Sequence, residues 1–209
     1  MPANKFNEAD KYLLEKWQQA CLVEKSVKAI RLRFTEICAR FLESIQNEHK
    51  TLDRCNNWVK SDWSVTIGRE RWQREGNFAY IGIEYLCVEN LWDDSGEHPF
   101  VGIWTGKPKK PAIDLKAIRR ILSEAKTILT KDEFARCEWE SSPDDEIKPS
   151  DCTYQYQLWY SFPEERKELR NMLLEGDGQP FVDCLVAHFE VFAKFIPILD
   201  EVFAKRGKK

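Results

Sequence analysis

Apolar residues recur at alternating steps of three and four at both ends of this chain, and that spacing limits its fold more than any other feature. Near the start Val23, Val27, Ile30, Phe34, Ile37 and Phe41 keep the step; near the end Val182, Leu185, Phe189, Phe192, Ile196, Leu199 and Phe203 repeat it. A helix carrying such a seam needs a surface against it, in the same chain or in a second copy. Val27, Ile30, Phe34, Ile37 and Phe41 are the candidate seam. Between Asn7 and His49 no glycine or proline interrupts the pattern, so the sequence predicts one long helix or two in line, ending within residues 51–57. Continuous, about 40 residues rising about 1.5 Å each would reach about 60 Å, and part should overhang the domain. The closing helix should run from Gln179 or Pro180 to about Lys205 and bend at Pro197, which has no N–H to donate.

The middle of the chain changes period. Trp63, Val65 and Ile67 alternate with polar neighbours; Phe78 to Val88, Pro99 to Thr105, Phe134 to Trp139 and Thr153 to Tyr160 read as further strands. Asp93 to Gly96 supplies a turn, Lys107 to Pro111 a connector, and Ser141 to Asp151 an acidic loop. Behind the candidate N-cap Asp114, apolar residues from Leu115 to Leu129 fall at helical spacing, and Ser161 with Glu164 predicts a capping box opening a helix over 162–174. The expected class is therefore α+β: an antiparallel sheet of about five strands with helices packed on one face. Residues 1–50 form a helical extension, with the first helix packed on the last, and 51–209 the α+β domain.

With 209 residues, the chain can bury an ordinary core without staples. Its charges nearly cancel, leaving −3, so no global field draws it to a polyanion. Seven scattered cysteines read as reduced thiols. The polar start, Met1 to Asp10, lacks the features of a secretory signal, and no uncharged apolar run is long enough to span a bilayer. A cytoplasmic location with no membrane partner is expected.

Chemistry is poorly advertised. Pro143 to Lys148 spells the letters of a PD-(D/E)XK nuclease signature, but consecutive loop residues cannot converge as carboxylates from neighbouring strands do, so a solvated acidic loop is expected. Cys87, Asp93, Asp94, Glu97 and His98 gather at one hairpin without a zinc or calcium framework. Glu84, alone in an apolar strand, is expected to be exposed or salt-bridged. His188, in the closing helix, reads as a core or flanking histidine. No nucleophile context or phosphate-cradling glycine pattern is present, so no catalytic residue, cofactor or metal ligand is assigned.

Eight tryptophans are the oddest compositional feature. Trp72 and Trp104, beside Arg69, Arg71, Arg74, Lys107, Lys109 and Lys110, form the candidate surface for a partner or for single-stranded nucleic acid, with rings to stack bases and cations to meet phosphates. The competing account is that these rings fill the space between sheet and helices. The succession Tyr80-Ile81-Gly82-Ile83-Glu84 and Phe100-Val101-Gly102-Ile103-Trp104 resembles accessory C-terminal regions of some bacterial PD-(D/E)XK-type proteins. That resemblance covers residues 63–160, rests on aromatic and glycine placement, and implies a prokaryotic or phage defence setting with no catalytic residue carried over. The reading that follows is a non-catalytic cytoplasmic binding or regulatory protein using an aromatic sheet surface and a long amphipathic helix, with a protein partner or a homodimer. The alternatives are a single-stranded nucleic-acid-binding accessory protein and a metal-dependent hydrolase.

Overall fold

A computed structural model of the chain describes residues 7–54, 64–69, 72, 79–94, 96–106, 115–141 and 154–204. The chain divides into two compact units, Met1–Glu36 and Ile37–Lys209.

The first unit is helical. Asn7 caps α1 (Glu8–Glu15) through reciprocal bonds: its Oδ1 accepts from the Asp10 N–H at 2.8 Å, and the Asp10 carboxylate accepts from the Asn7 N–H at 2.8 Å. Lys16 leaves the helical conformation, and α2 (Trp17–Glu48) begins at the next residue. Of the two expected forms, one long helix or two, the described residues form two successive helices. Glu24 and Lys28, one turn apart, form an exposed ion pair at 2.6 Å, worth only a few tenths of a kcal/mol.

In the second unit the described strands form one antiparallel sheet in the order β1-β2-β3-β4-β6-β5. The strands are β1 (Asp53–Arg54), β2 (Ser64–Gly68), β3 (Ala79–Glu84), β4 (Phe100–Gly106), β5 (Glu138–Ser141) and β6 (Tyr154–Ser161). Five of these have at least four residues, as expected; β1 adds a two-residue rung at one edge. Val65, Ile67, Ala79, Ile81, Ile83, Val101, Ile103, Leu158 and Tyr160 alternate onto one face and are all buried. Covering that face is α7 (Gln179–Ala193), with Phe181, Leu185, Phe189 and Phe192 fully buried, and α6 (Arg166–Leu174) packs beside it. Phe192 stacks on Tyr160 at 5.5 Å, and Phe41, from the end of α2, meets Phe189 edge-on at 6.0 Å. The last turns of α2 therefore pack on α7.

Two sequence expectations are corrected. The strand from Phe78 to Val88 stops at Glu84, because Tyr85 adopts a left-handed backbone with φ 56°. Cys87 then caps the short helix α3 (Val88–Trp92), its sulfur accepting from the Asn90 N–H at 3.3 Å. The strand from Phe134 to Trp139 is instead helix α5 (Lys131–Arg136) followed by β5. Thr130 and Glu133 form a capping box that starts a helix at the residue after Thr130, and this local signal overrides the apolar alternation.

Other boundaries move less. Helix α4 (Leu115–Ile128) lies where predicted, whereas α6 opens at Arg166, with Glu168 accepting from the Glu165 N–H at 3.1 Å in place of the Ser161 box. Pro197 sits in the first turn of α8 (Ile196–Ala204), and the chain breaks at Lys194 and Phe195 instead of merely bending. Gly178, with φ 86°, enters α7; a Cβ there would lie 2.6 Å from the Ile37 side chain. Only glycine fits that crossing.

Candidate functional site

Tyr12, Leu13, Leu14, Trp17, Leu22, Val23, Val27, Ile30 and Leu32, all in Met1–Glu36, are exposed, from 40% at Val27 to 66% at Leu22. Of these, Val23, Val27 and Ile30 lie on the predicted stripe. Further along, Phe34 is 9% exposed, and within the second unit Ile37 and Phe41 are buried against its core. One stripe thus has two environments. Exposed apolar side chains aligned on one helical face, as Val23, Val27 and Ile30 are, mark a contact surface more reliably than scattered ones do.

The opposite face of the sheet carries a layer of rings. Tyr80 stacks on Trp104 at 5.4 Å, Phe100 meets Trp104 at 5.8 Å and Trp159 at 5.0 Å, and Tyr85 meets Phe100 at 5.3 Å. Their backbones are drawn close at Gly102, where a Cβ would lie 2.5 Å from the Leu158 carbonyl oxygen. Trp104 is 1% exposed and donates its indole N–H to Gln157 at 3.1 Å. Trp72 is fully buried, donating to the Asp200 carboxylate at 2.9 Å, while Arg69 pairs with the same carboxylate, bonds Thr51 and sits over the Trp72 ring at 5.9 Å. Both indoles and Arg69 are thereby engaged within the protein. Arg71, Arg74, Lys107, Lys109 and Lys110 lie outside the described residues, as does the segment Pro143 to Lys148.

Glu84 projects from the ring-bearing face and accepts from the Tyr80 hydroxyl at 3.1 Å. Burial raises its pKa, and the tyrosine bond only partly opposes this. His98 bonds the Phe162 carbonyl oxygen at 3.0 Å. Among the described residues Cys87, Asp93, Asp94, Glu97 and His98 do not bring three ligand atoms together. Instead the turn is tied down by Arg166, whose guanidinium donates to the carbonyl oxygens of Asn90, Asp94 and Gly96.

His188 is more than a packing residue. Its ring lies 4.1 Å from Phe162 between centroids, its Nδ1 is 2.8 Å from the Tyr160 hydroxyl, and its Nε2 is 2.8 Å from the Glu164 carboxylate. Burial lowers its pKa, outweighing the attraction of Glu164, so the neutral ring donates from Nε2 to Glu164 and accepts at Nδ1 from Tyr160. Cys184 lies one helical turn before His188, and its thiol, a carboxylate oxygen of Glu164 and a ring nitrogen of His188 all fall within 4.8 Å of one another. Burial pushes the Cys184 thiol up to about 12. A second group, Glu48, His49 and Glu190, sits nearer solvent, with His49 bonded to Glu190 at 2.7 Å. Sequence reasoning placed His188 in the last helix but missed Tyr160, Glu164 and Cys184 as its partners. The four-residue step from Cys184 to His188 was the available signal.

No protein-family model, curated protein or solved structure matches this chain. The resemblance of residues 63–160 to accessory regions of PD-(D/E)XK-type proteins finds no counterpart in those comparisons. Among the described residues no helix is long and apolar enough to cross a membrane.

Proposed function

We propose that this chain is a non-catalytic binding protein that acts through its N-terminal helices, with a second copy of itself as the first partner. The observation that carries this reading is the exposure of Val23, Val27 and Ile30, at 62%, 40% and 50%, on a stripe whose spacing suits helix pairing. Covering the exposed part of each stripe residue contributes on the order of 1 kcal/mol, so the expected dimer is weak and depends on concentration. The five described cysteines Cys21, Cys38, Cys87, Cys137 and Cys184 are free, which supports a reducing, cytoplasmic setting.

Light scattering coupled to size exclusion, run over a range of concentrations, tests the reading. The wild-type chain is expected to approach twice its monomer mass, and the double variant V27D/I30D to remain monomeric while keeping its circular dichroism spectrum. A wild-type chain that stays monomeric at high concentration refutes self-association. Quenching of tryptophan emission by single-stranded oligonucleotide at low salt would favour the nucleic-acid alternative instead.

A further inference from the structure

We propose that Glu164, Cys184 and His188 form a zinc(II) site, with a carboxylate oxygen, the thiolate sulfur and the imidazole Nε2 as protein ligands and water completing a tetrahedron. The residues come from two directions. Glu164 lies on the short connection between β6 and α6, while Cys184 and His188 stand one turn apart on α7 and so share a face. Their ligand atoms already lie within 4.8 Å of one another. A tetrahedral zinc ion needs ligands at about 2.0–2.3 Å, which small side-chain rotations supply.

The shell behind the ligands points the same way. Tyr160 occupies Nδ1 at 2.8 Å, fixing the ring and leaving Nε2 as the nitrogen that can take a metal. A Cys-His-acid nucleophilic triad would require the thiol on one ring nitrogen and the acid on the other. Here Nδ1 is committed to a tyrosine, and the acid lies at Nε2. Thiolate, imidazole and carboxylate together suit zinc better than magnesium or calcium, which prefer all-oxygen shells. Tyr160 and Phe162 pack against the ring and keep that side dry, while the Glu164 side chain is 24% exposed and leaves a path for the ion.

Binding is balanced in protons. The Cys184 S–H proton leaves to solvent as the thiolate takes the metal, and the imidazole proton moves from Nε2 to Nδ1, where it donates to the Tyr160 oxygen as the Tyr160 hydroxyl turns its own proton away from the ring. No redox step is involved. The group at Glu48, His49 and Glu190 offers two carboxylates and one imidazole nearer solvent and lacks the thiolate that gives the first site its preference. Only the four-residue step from Cys184 to His188 is visible in the sequence, because the acid lies 20 residues before the first of the two α7 ligands.

Titration of the full-length, reduced protein with Co²⁺, followed by Zn²⁺ competition, tests the assignment. One equivalent of cobalt is expected to give a thiolate-to-metal charge-transfer band that zinc abolishes. C184S should remove that band, and E164Q should weaken binding at least tenfold, whereas H49Q/E190Q should leave both unchanged. Cysteine alkylation mapped by mass spectrometry guards against a variant that fails to fold: in the wild-type protein zinc is expected to protect Cys184 and not Cys21. Absence of the band in wild-type protein, its survival in C184S, or protection by zinc only at other cysteines overturns the proposal.

Discussion

Glu84 shows how a single carboxyl can oppose the fold that holds it. Its pKa is raised by burial on the ring-bearing face of the sheet, so between the ordinary carboxylate range and that raised value the folded chain binds more protons than the unfolded chain. Stability from this group therefore falls as pH rises through that window, and at neutral pH the ionised form is a net cost. Replacing it with glutamine keeps an acceptor for the Tyr80 hydroxyl and removes the charge. Glu84→Gln is expected to raise the melting temperature at pH 7, with the gain shrinking toward zero below about pH 4, where the wild-type carboxyl is itself protonated. Thermal scans across pH check this; an unchanged or lower melting point at pH 7 contradicts the burial argument. The side chains that gather at His188 were harder to foresee. Tyr160 lies near the end of β6 and Glu164 just beyond it, but only packing of α7 against the sheet brings His188, 24 to 28 positions later, onto them.

Among the elements, α2 offers an internal control, since Ile30 and Ile37 have the same side chain on the same stripe at 50% and 2% exposure. Ile37→Ala should cost about 2–5 kcal/mol, because it leaves a cavity in a packed core. Ile30→Ala in dilute protein should fall within about 0.5 kcal/mol of wild type. Urea denaturation separates the two; equal costs would show that the exposed half of the stripe is structurally committed. Element types were legible where period and punctuation agreed. β2, β4, β6 and α4 lie close to their predicted spans, and Pro197 marked the break between α7 and α8. They were illegible where an apolar run concealed a change of state. The left-handed Tyr85 and the sulfur cap of Cys87 sit inside such a run, and the box of Thr130 with Glu133 was present in the sequence but lost to the aromatic alternation beside it.

At the scale of the whole molecule, the α+β class and the sheet of five full strands followed from counting periodic segments, whereas the pairing of β6 between β4 and β5 needed the structure. Self-association belongs to this scale too. If two copies pair through Val23, Val27 and Ile30, the melting temperature of the wild-type chain should rise with protein concentration, and that of V27D/I30D should not. Scanning calorimetry over a hundredfold range reads this directly; a flat wild-type response would argue that the stripe meets a different protein. The sheet itself closes off another route to assembly. Among the described residues its first edge is a strand of two residues, and its last, β5, presents Glu138 beside the exposed Trp139. A stubby rim and a charged one both disfavour an incoming strand, so under crowding these edges are guarded against fibril-like stacking.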